Sequence, residues 1–494
     1  MIKSRLSIIQ SRSHKYFFYL YSNQCLEMMF RAVAATFLLL CYIQDAEVAF
    51  SSFYPKLKPK NIKRNVRVTE DPLILTPYIE KNQIEQAQSL AEVPSDIFQN
   101  VKSYSGFFTV DKAFNSNMFF WFFPAETNYK EAPVLVWLQG GPGASSLYAI
   151  FQENGPFKYN NSPNLAFNPY SWHKTHSVIY IDNPVQTGYS FTNNGFAQNE
   201  TKVGEDLYEA IRQFFLLFPD LQKNDFFITG ESYAGKYVPA ASYAIYTKNK
   251  EAELKINLKG MAIGNGLCDP VHQLVYSDYL YQIGLADSNE KEEIYTLEKE
   301  IIQSIHKKDF QKAFEQFDDL LNGDLNGGNT LFKNITGFSS YYNYLHDKGS
   351  GGSNLTDFLE SEQVRKAIHV GNLKYNDGVE VEENLVLDLM QSITPWISEL
   401  LSNIRVLFYN GQLDIIVAYP LTENFLKHLH FSSSHEYKTA QRQKWYVGDD
   451  LAGYIKHAGN LTEVLVRNAG HLVPEDQPKA ALDLITRFTQ NQLH

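Results

Sequence analysis

The chain has 494 residues, of which 44% are hydrophobic and 20% charged, and this composition excludes disorder over most of its length. Its length corresponds to about three average domains or to one enzyme fold with insertions. Acidic residues outnumber basic ones by 55 to 44, for a net charge of −11, and no basic, aromatic-interleaved run occurs, which argues against nucleic-acid binding.

The N-terminal region, residues 1–49, has the features of a signal peptide with an N-terminal extension. Its charge-free apolar run, residues 32–43, is too short to span a bilayer but has the length of a signal-peptide core. A conventional signal would start at Met28 or Met29. The alternatives are an uncleaved anchor or a buried core helix. No later segment is apolar enough to cross a membrane.

The cysteines are too few for a disulfide-stapled scaffold or a Cys-based metal site. Cys25 and Cys41 lie in or before the apolar run, so removal of that run leaves Cys268 alone. Together with a signal peptide, Asn-x-Ser/Thr sequons predict a secreted or lysosomal glycoprotein. Five such candidate glycosylation sites occur, at Asn160, Asn199, Asn334, Asn354 and Asn460.

Short apolar runs rich in β-branched and aromatic residues predict strands in the first part of the core, residues 50–270. Continuous runs of this length are typical of strands buried on both faces of a parallel sheet. A helical pattern over 203–218 alternates with them, and this alternation predicts an α/β fold with right-handed crossovers. The predicted strands are an antiparallel pair at 107–110 and 118–123, followed by 134–138, 177–181 and 226–229.

The pattern changes in residues 271–395, which contain Lys/Glu-rich helical stretches and two Gly-rich patches without strand-rich runs. This composition predicts a mainly helical lid inserted into the fold. Strand patterns return at 405–409 and 464–467, and a final helix is expected over 479–489. These last elements predict a second core segment, residues 396–494.

Three polar residues occur in the order of an α/β-hydrolase triad, each just beyond a predicted strand. Ser232 lies in GESYAG (230–235), where small residues flank a serine between strand and helix, as a tight nucleophile turn requires. Asp414 and His471 follow later strands. A serine hydroxyl needs an imidazole to take its proton and a carboxylate to orient that imidazole, so the set predicts nucleophilic catalysis.

A glycine-rich loop, QGGPGASS (139–146), follows the strand at 134–138. It lacks the Lys-Ser/Thr ending of a phosphate-binding P-loop. Glycines instead expose backbone N–H groups without side-chain obstruction. We therefore expect the amides of Gly141 and Tyr233 to form an oxyanion hole.

Six sequence blocks, in order, resemble those of the serine carboxypeptidase family and are most similar to its vitellogenic carboxypeptidase-like branch. The resemblance covers residues 70–490. The blocks are WLQGGPGASS (137–146), IDNPVQTGYSF (181–191), GESYAGKYVPA (230–240), GNGLCDP (264–270), YNGQLDIIV (409–417) and NAGHLVPEDQP (468–478).

The resemblance implies an α/β-hydrolase fold with an inserted, mainly helical lid. It also implies an exopeptidase that removes C-terminal residues from peptides or proteins through an acyl-enzyme, at acidic pH, without a metal or cofactor. Ser232 is then the nucleophile, His471 the acid and base, and Asp414 its orienting group. The family's group that binds the substrate's terminal carboxylate maps to Gln139, Gly140, Glu153 and Glu231.

Two glutamates beside a substrate carboxylate bind it only when they carry a proton, because an ionised pair repels it. Burial and like-charge crowding raise the pKa of such a pair, so Glu153 and Glu231 are expected to share a proton at low pH. KM should then rise as the pH climbs above the titration of the pair, while kcat changes less. From the residues alone, a helix-face charge at Glu153 and a solvated carboxylate at Glu231 are the alternatives.

The chain departs from the family pattern outside the triad. Gln139 stands where most members have Asn, Gln186 where Gly is usual, and Ala144 where Cys is common, and the usual disulfides around the lid are missing. Two other functions are compatible with the sequence. One is an acyltransferase on the same scaffold; the other is a non-catalytic yolk or granule glycoprotein, against which the intact triad argues.

Overall fold

The computed structural model describes residues 70–160, 165–325, 327–348 and 354–493, and the predicted signal peptide lies outside them. Fourteen strands occur in this part of the chain. They are β1 (Tyr104–Asp111), β2 (Ser116–Phe123), β3 (Val134–Leu138), β4 (Phe157–Lys158), β5 (Ala166–Phe167), β6 (Ser177–Ile181), β7 (Thr187–Gly188), β8 (Phe226–Glu231), β9 (Leu258–Gly264), β10 (Asn376–Asp377), β11 (Arg405–Gly411), β12 (Gln443–Val447), β13 (Asp450–Ala458) and β14 (Leu461–Val466).

Ten of these strands form one central sheet, in the order β1-β2-β6-β3-β8-β9-β11-β14-β13-β12. The inner run from β6 to β14 is parallel, and an antiparallel pair borders it on each side. The parallel strands β3 and β6 are buried along their whole length, which is why their sequences are continuously apolar. The mostly parallel sheet confirms the predicted α/β class.

Eighteen α-helices in the described residues surround the sheet or form the insertion. They are α1 (Thr76–Glu80), α2 (Ile84–Ala91), α3 (Leu147–Gln152), α4 (Glu200–Leu217), α5 (Ala234–Lys248), α6 (Pro270–Gln273), α7 (Tyr276–Gln282), α8 (Ser288–His306), α9 (Phe310–Phe317), α10 (Leu331–Thr336), α11 (Leu355–Leu359), α12 (Glu362–Ala367), α13 (Val379–Leu389), α14 (Thr394–Leu401), α15 (Tyr419–His428), α16 (Ser434–Thr439), α17 (Val473–Asp476) and α18 (Pro478–Thr489).

The predicted strands are present, and the first two pair antiparallel with Phe107 opposite Phe119. Aromatic packing reinforces this pair, since the rings of Phe108 and Phe120 stack with centroids 4.4 Å apart. Three strands of the central sheet, β9, β12 and β13, were not predicted. In β12, buried and exposed residues are interspersed, so its sequence lacks a continuous apolar run.

The segment between β9 and β11 is mainly helical, as expected, with one correction. The two-residue strand β10 within it pairs antiparallel with β7, which lies in the first part of the core. The limits 271–395 of the lid remain a prediction. Among the described residues, no helix has the length and apolar character needed to cross a membrane.

Candidate active site

The serine turn joins β8 to α5 and has a strained backbone. Ser232 has a φ of 62°, a left-handed conformation that costs a residue with a side chain roughly 1–2 kcal/mol. Its N–H donates to the carbonyl of Gly264, at the end of β9, at 2.9 Å. A Cβ on Gly230 would lie 2.5 Å from the carbonyl oxygen of Leu138, so the small residue before the turn is required. The turn expected from GESYAG is therefore present.

Asp414 and His471 follow β11 and β14, which are neighbouring parallel strands, and their side chains meet. His471 Nδ1 donates to Asp414 Oδ2 at 2.9 Å, and both side chains are buried. The backbone N–H groups of Ile416 and Val417 donate to the same carboxylate, at 3.0 and 3.2 Å. Because Nδ1 donates to the carboxylate, Nε2 of the neutral ring is the nitrogen that can accept a proton.

All three triad residues lie at one edge of the sheet. β8, β9, β11 and β14 are consecutive parallel strands, and Ser232, Asp414 and His471 each come just after the carboxyl end of one of them. Asn265, just beyond β9, lies between the serine and aspartate positions. The structure thus brings the predicted set to the sheet edge where open α/β sheets bind their ligands.

Two residues that were not predicted contact the Asp–His pair. Asn265 Nδ2 donates to Asp414 Oδ2 at 2.6 Å. Tyr342, from the inserted segment, stacks on the ring of His471 with centroids 5.4 Å apart, and its carbonyl accepts the His471 N–H at 2.7 Å. The block GNGLCDP was the available signal for Asn265. No pattern indicated Tyr342, because its position depends on how the insertion folds.

The glycine-rich loop lies against the serine turn. A Cβ on Gly140 would lie 2.6 Å from the Tyr233 nitrogen and 2.8 Å from the Ser232 Cβ, so only glycine allows this approach. In the described part of the chain, the amides of Gly141 and Tyr233 donate to no protein acceptor. An oxyanion site requires two such unengaged N–H groups close to the nucleophile.

A buried carboxyl group behind this loop anchors it. Asp182 Oδ1 accepts from the Ser145 hydroxyl at 2.6 Å and from the Ser146 N–H at 3.1 Å. Its Oδ2 accepts from the Tyr189 N–H at 2.9 Å. Burial raises the pKa of Asp182 to about 7, although these hydrogen bonds oppose the rise. The sequence did not indicate this anchoring role.

Glu153 and Glu231 are fully buried and meet at Gln139, so neither is a solvated charge. Gln139 Nε2 donates to Oε1 of each at 2.9 Å, which brings the two carboxyl groups together. Trp137 Nε1 donates to Gln139 Oε1 at 2.8 Å, which fixes the direction in which the amide faces. Burial is the main reason that the pKa of Glu153 is raised to about 8, and the charge of Glu475 adds to the rise. Glu153 therefore keeps its proton at acidic pH.

The departure at residue 186 has a structural explanation. Gln186 has a φ of 73°, a conformation that favours the glycine usual in the family. Its side chain extends to the inserted segment, where Nε2 donates to Glu380 Oε2 on α13 at 2.8 Å. The added side chain therefore contacts the insertion at an exposed position.

The five sequon asparagines are all exposed. They differ in what their side chains do. Asn460 Nδ2 donates to the Leu401 carbonyl at 2.9 Å, which engages the nitrogen that a glycan would modify. Asn199 uses Oδ1 to cap α4 by accepting from the Lys202 N–H at 3.0 Å, and this contact leaves the nitrogen side of the amide uninvolved.

Several known proteins match the chain over most of its length. The family described as "Serine carboxypeptidase" matches residues 94–491. The venom serine carboxypeptidase of Apis mellifera is 52% identical over 450 residues, covering 90% of this chain and 96% of that protein. The vitellogenic carboxypeptidase of Aedes aegypti is 47% identical over 456 residues, with coverages of 91% and 96%. The probable serine carboxypeptidase CPVL of Homo sapiens is 47% identical over 424 residues, with coverages of 84% and 89%.

Among solved structures, KEX1(delta)P, a prohormone-processing carboxypeptidase from Saccharomyces cerevisiae, has a TM-score of 0.70. The two chains are 22% identical, and the match covers 82% of this chain and 96% of the yeast chain. This likeness shows a shared fold. Because the family match spans most of the described chain and the relatives are about half identical to it, the chain belongs to the serine carboxypeptidase family.

Proposed function

We propose that this serine carboxypeptidase removes C-terminal residues through an acyl-enzyme formed on Ser232. The observation that carries the proposal is the buried Asp414–His471 hydrogen bond at the sheet edge where the strained Ser232 turn also lies. The chemistry of a serine hydroxyl, an imidazole and an orienting carboxylate is nucleophilic acyl transfer.

In the proposed reaction, the Ser232 oxygen attacks the carbonyl of the last peptide bond while His471 Nε2 takes the hydroxyl proton. Asp414 stabilises the resulting imidazolium through the Nδ1 hydrogen bond. The amides of Gly141 and Tyr233 donate to the oxyanion. The C–N bond then breaks, His471 gives its proton to the departing amine, and a free amino acid leaves. Water attacks the acyl ester by the same route in reverse, which restores the serine.

Selection of a C-terminal residue is assigned to Gln139, Gly140, Glu153 and Glu231. The terminal carboxylate of a peptide carries a negative charge, which an ionised glutamate pair would repel. A pair that keeps its proton can donate a hydrogen bond instead, as a protonated carboxylic acid does in other active sites. The raised pKa of Glu153 supports this role and also supports activity at acidic pH.

The proposal is tested with an organophosphonate, which labels an activated serine covalently. At pH 5.5 the wild-type protein should be labelled on Ser232, and the variants Ser232→Ala and His471→Ala should not be labelled. Release of free amino acid from a blocked dipeptide identifies hydrolysis; transfer of the acyl group to an added alcohol in preference to water would identify an acyltransferase. Absence of labelling in the wild-type protein contradicts the proposed mechanism.

We further propose that the protein enters the secretory pathway, to be secreted or delivered to lysosomes. The exposure of all five sequon asparagines supports glycosylation during such transit. The name of the Apis mellifera relative, a venom protein, is compatible with secretion. Treatment with a peptide N-glycosidase should lower the apparent mass of the protein purified from its source.

A further inference from the structure

A carboxyl–phenol contact joins the two segments that carry the carboxylate pair and the catalytic histidine. Tyr148 lies on α3, which ends immediately before Glu153. Glu475 lies on α17, which begins two residues after His471. The Tyr148 hydroxyl donates to Glu475 Oε2 at 2.9 Å. The contact therefore joins the helix that precedes Glu153 to the helix that follows His471.

Within the described part of the chain, Lys158 is the cation whose charge acts on Glu475, but the two side chains form no ion pair. No lysine, arginine or histidine of these residues forms an ion pair with it. Lys158 interacts with Glu475 only through its charge, because its Nζ is hydrogen-bonded to the backbone carbonyls of Gln152 and Glu153, at 2.5 and 3.4 Å. The Glu475 charge also acts on the buried Glu153. A partly buried carboxyl group that forms no ion pair among the described residues thus lies close to the carboxylate pair.

The proposed function places the substrate's last residue between these groups. Its carboxylate lies at Gln139, Glu153 and Glu231, and its amide nitrogen lies at the triad. Its side chain branches from the carbon between the two, and this side chain is assigned to the contact between Tyr148 and Glu475, whose charges interact with the carboxylate pair. A cationic side chain there would form a charge-assisted hydrogen bond with Glu475, and its aliphatic stem would pack on the Tyr148 ring.

Resting on that proposed function, we infer that Glu475 is a specificity-determining residue that favours lysine or arginine as the C-terminal residue of the substrate.

The inference is tested with three blocked dipeptides that share their first residue and end in lysine, norleucine or glutamate. Norleucine has the lysine stem without its charge. For the wild-type enzyme, kcat/KM should be highest for lysine and lowest for glutamate. In Glu475→Gln, the ratio of kcat/KM for lysine to that for norleucine should fall by about tenfold or more, because a charge-assisted hydrogen bond is lost. The norleucine rate should fall less than the lysine rate, and unchanged organophosphonate labelling of Ser232 reports an intact fold.

Glu436→Gln is the matched control, because it removes one negative charge from an exposed position on α16. It should leave the lysine-to-norleucine ratio unchanged. A wild-type enzyme that prefers norleucine to lysine overturns the inference, as does a Glu475→Gln variant that slows both substrates equally. If none of the dipeptides releases an amino acid and Ser232 is not labelled, the proposed function fails and the inference fails with it.

A pH series measures an effect that a purely structural role of Glu475 would not produce. Burial and the charge of Asp476 raise the pKa of Glu475, while Tyr148 and Lys158 oppose the rise; Glu153 is the remaining charged group that interacts with it. Glu475 therefore gains charge as the pH rises above the usual carboxyl range, and the wild-type preference for lysine should increase as it does so. In Glu475→Gln the preference should not change with pH; an equal increase in both proteins contradicts the inference.

Discussion

Under the proposed function, the raised pKa of Glu153 predicts how KM depends on pH. Burial raises the pKa of Glu153 from an ordinary 4.5 to about 8, so the pair keeps its proton through acidic and neutral pH and loses it above that value. The substrate carboxylate is ionised throughout, because its own pKa is about 3.5. KM should be nearly constant from pH 5 to 7 and about tenfold higher at pH 9 than at pH 6. The value of kcat should change less.

Glu153→Gln removes the titration and keeps the hydrogen bonds. The carbonyl of the new amide can accept from Gln139 Nε2, as Glu153 Oε1 does at 2.9 Å, and its NH₂ can donate to Glu231. KM at pH 6 should stay within about threefold of the wild-type value, since one neutral donor replaces another. The rise in KM towards pH 9 should be much smaller than in the wild-type enzyme.

The assay is the initial rate of amino acid release from a blocked dipeptide, from pH 5 to 9, with each sample returned to pH 5.5 to verify that activity recovers. A wild-type KM that stays constant to pH 9 refutes the reasoning, as does a Glu153→Gln variant whose KM rises as much as the wild-type value.

Thermal unfolding gives a second measurement. Because the folded pKa of Glu153 lies above its unfolded value, its stabilising contribution is full below pH 4.5 and is lost as the pH rises through about 8. Between pH 4.5 and about 8, Tm of Glu153→Gln should therefore fall less than Tm of the wild-type protein.

Two further substitutions and one measurement of glycosylation test other parts of the site and surface. Gly140→Ala should lower kcat about 100-fold or more, because its Cβ would lie 2.6 Å from a backbone nitrogen of the serine turn. Circular dichroism should show that the variant is folded, and activity near the wild-type value contradicts the prediction. Asn265→Leu should lower kcat about 10- to 100-fold while organophosphonate labelling slows in parallel, because Asp414 loses a donor at 2.6 Å. Peptide mapping should find Asn460 the least glycosylated sequon, since its nitrogen donates to Leu401; full occupancy there refutes the argument.

The inserted segment is structurally part of the site. Besides the Tyr342 contacts with His471, the Tyr341 carbonyl accepts from the N–H groups of Ile415 and Ile416 at 3.1 and 3.2 Å, and the Tyr344 N–H donates to the Leu413 carbonyl at 2.9 Å. These bonds tie the segment to the loop that carries Asp414. Removal of the insertion should therefore impair the triad as well as access to it.

Much of the fold could be predicted from the sequence, because the features involved are local. Strands buried on both faces must be continuously apolar, and this pattern located β3, β6, β8 and β11. The nucleophile turn was predictable because its backbone requires small residues on both sides of Ser232. The edge strand β12 and its neighbour β13 escaped prediction because exposed and partly exposed positions break their apolar pattern.

The order Ser–Asp–His, the glycine loop and the nucleophile turn were set by the sequence itself, because each follows from short-range pattern and spacing. The family resemblance grouped Glu153 and Glu231, 78 positions apart in the chain, but only the tertiary structure shows that both are buried and that Gln139 links them. The tertiary structure also decided that Tyr342 stacks on His471 and that Tyr148 contacts Glu475. Burial and the distances between charged groups depend on how the whole chain packs, so no single segment of the sequence determines a shifted pKa.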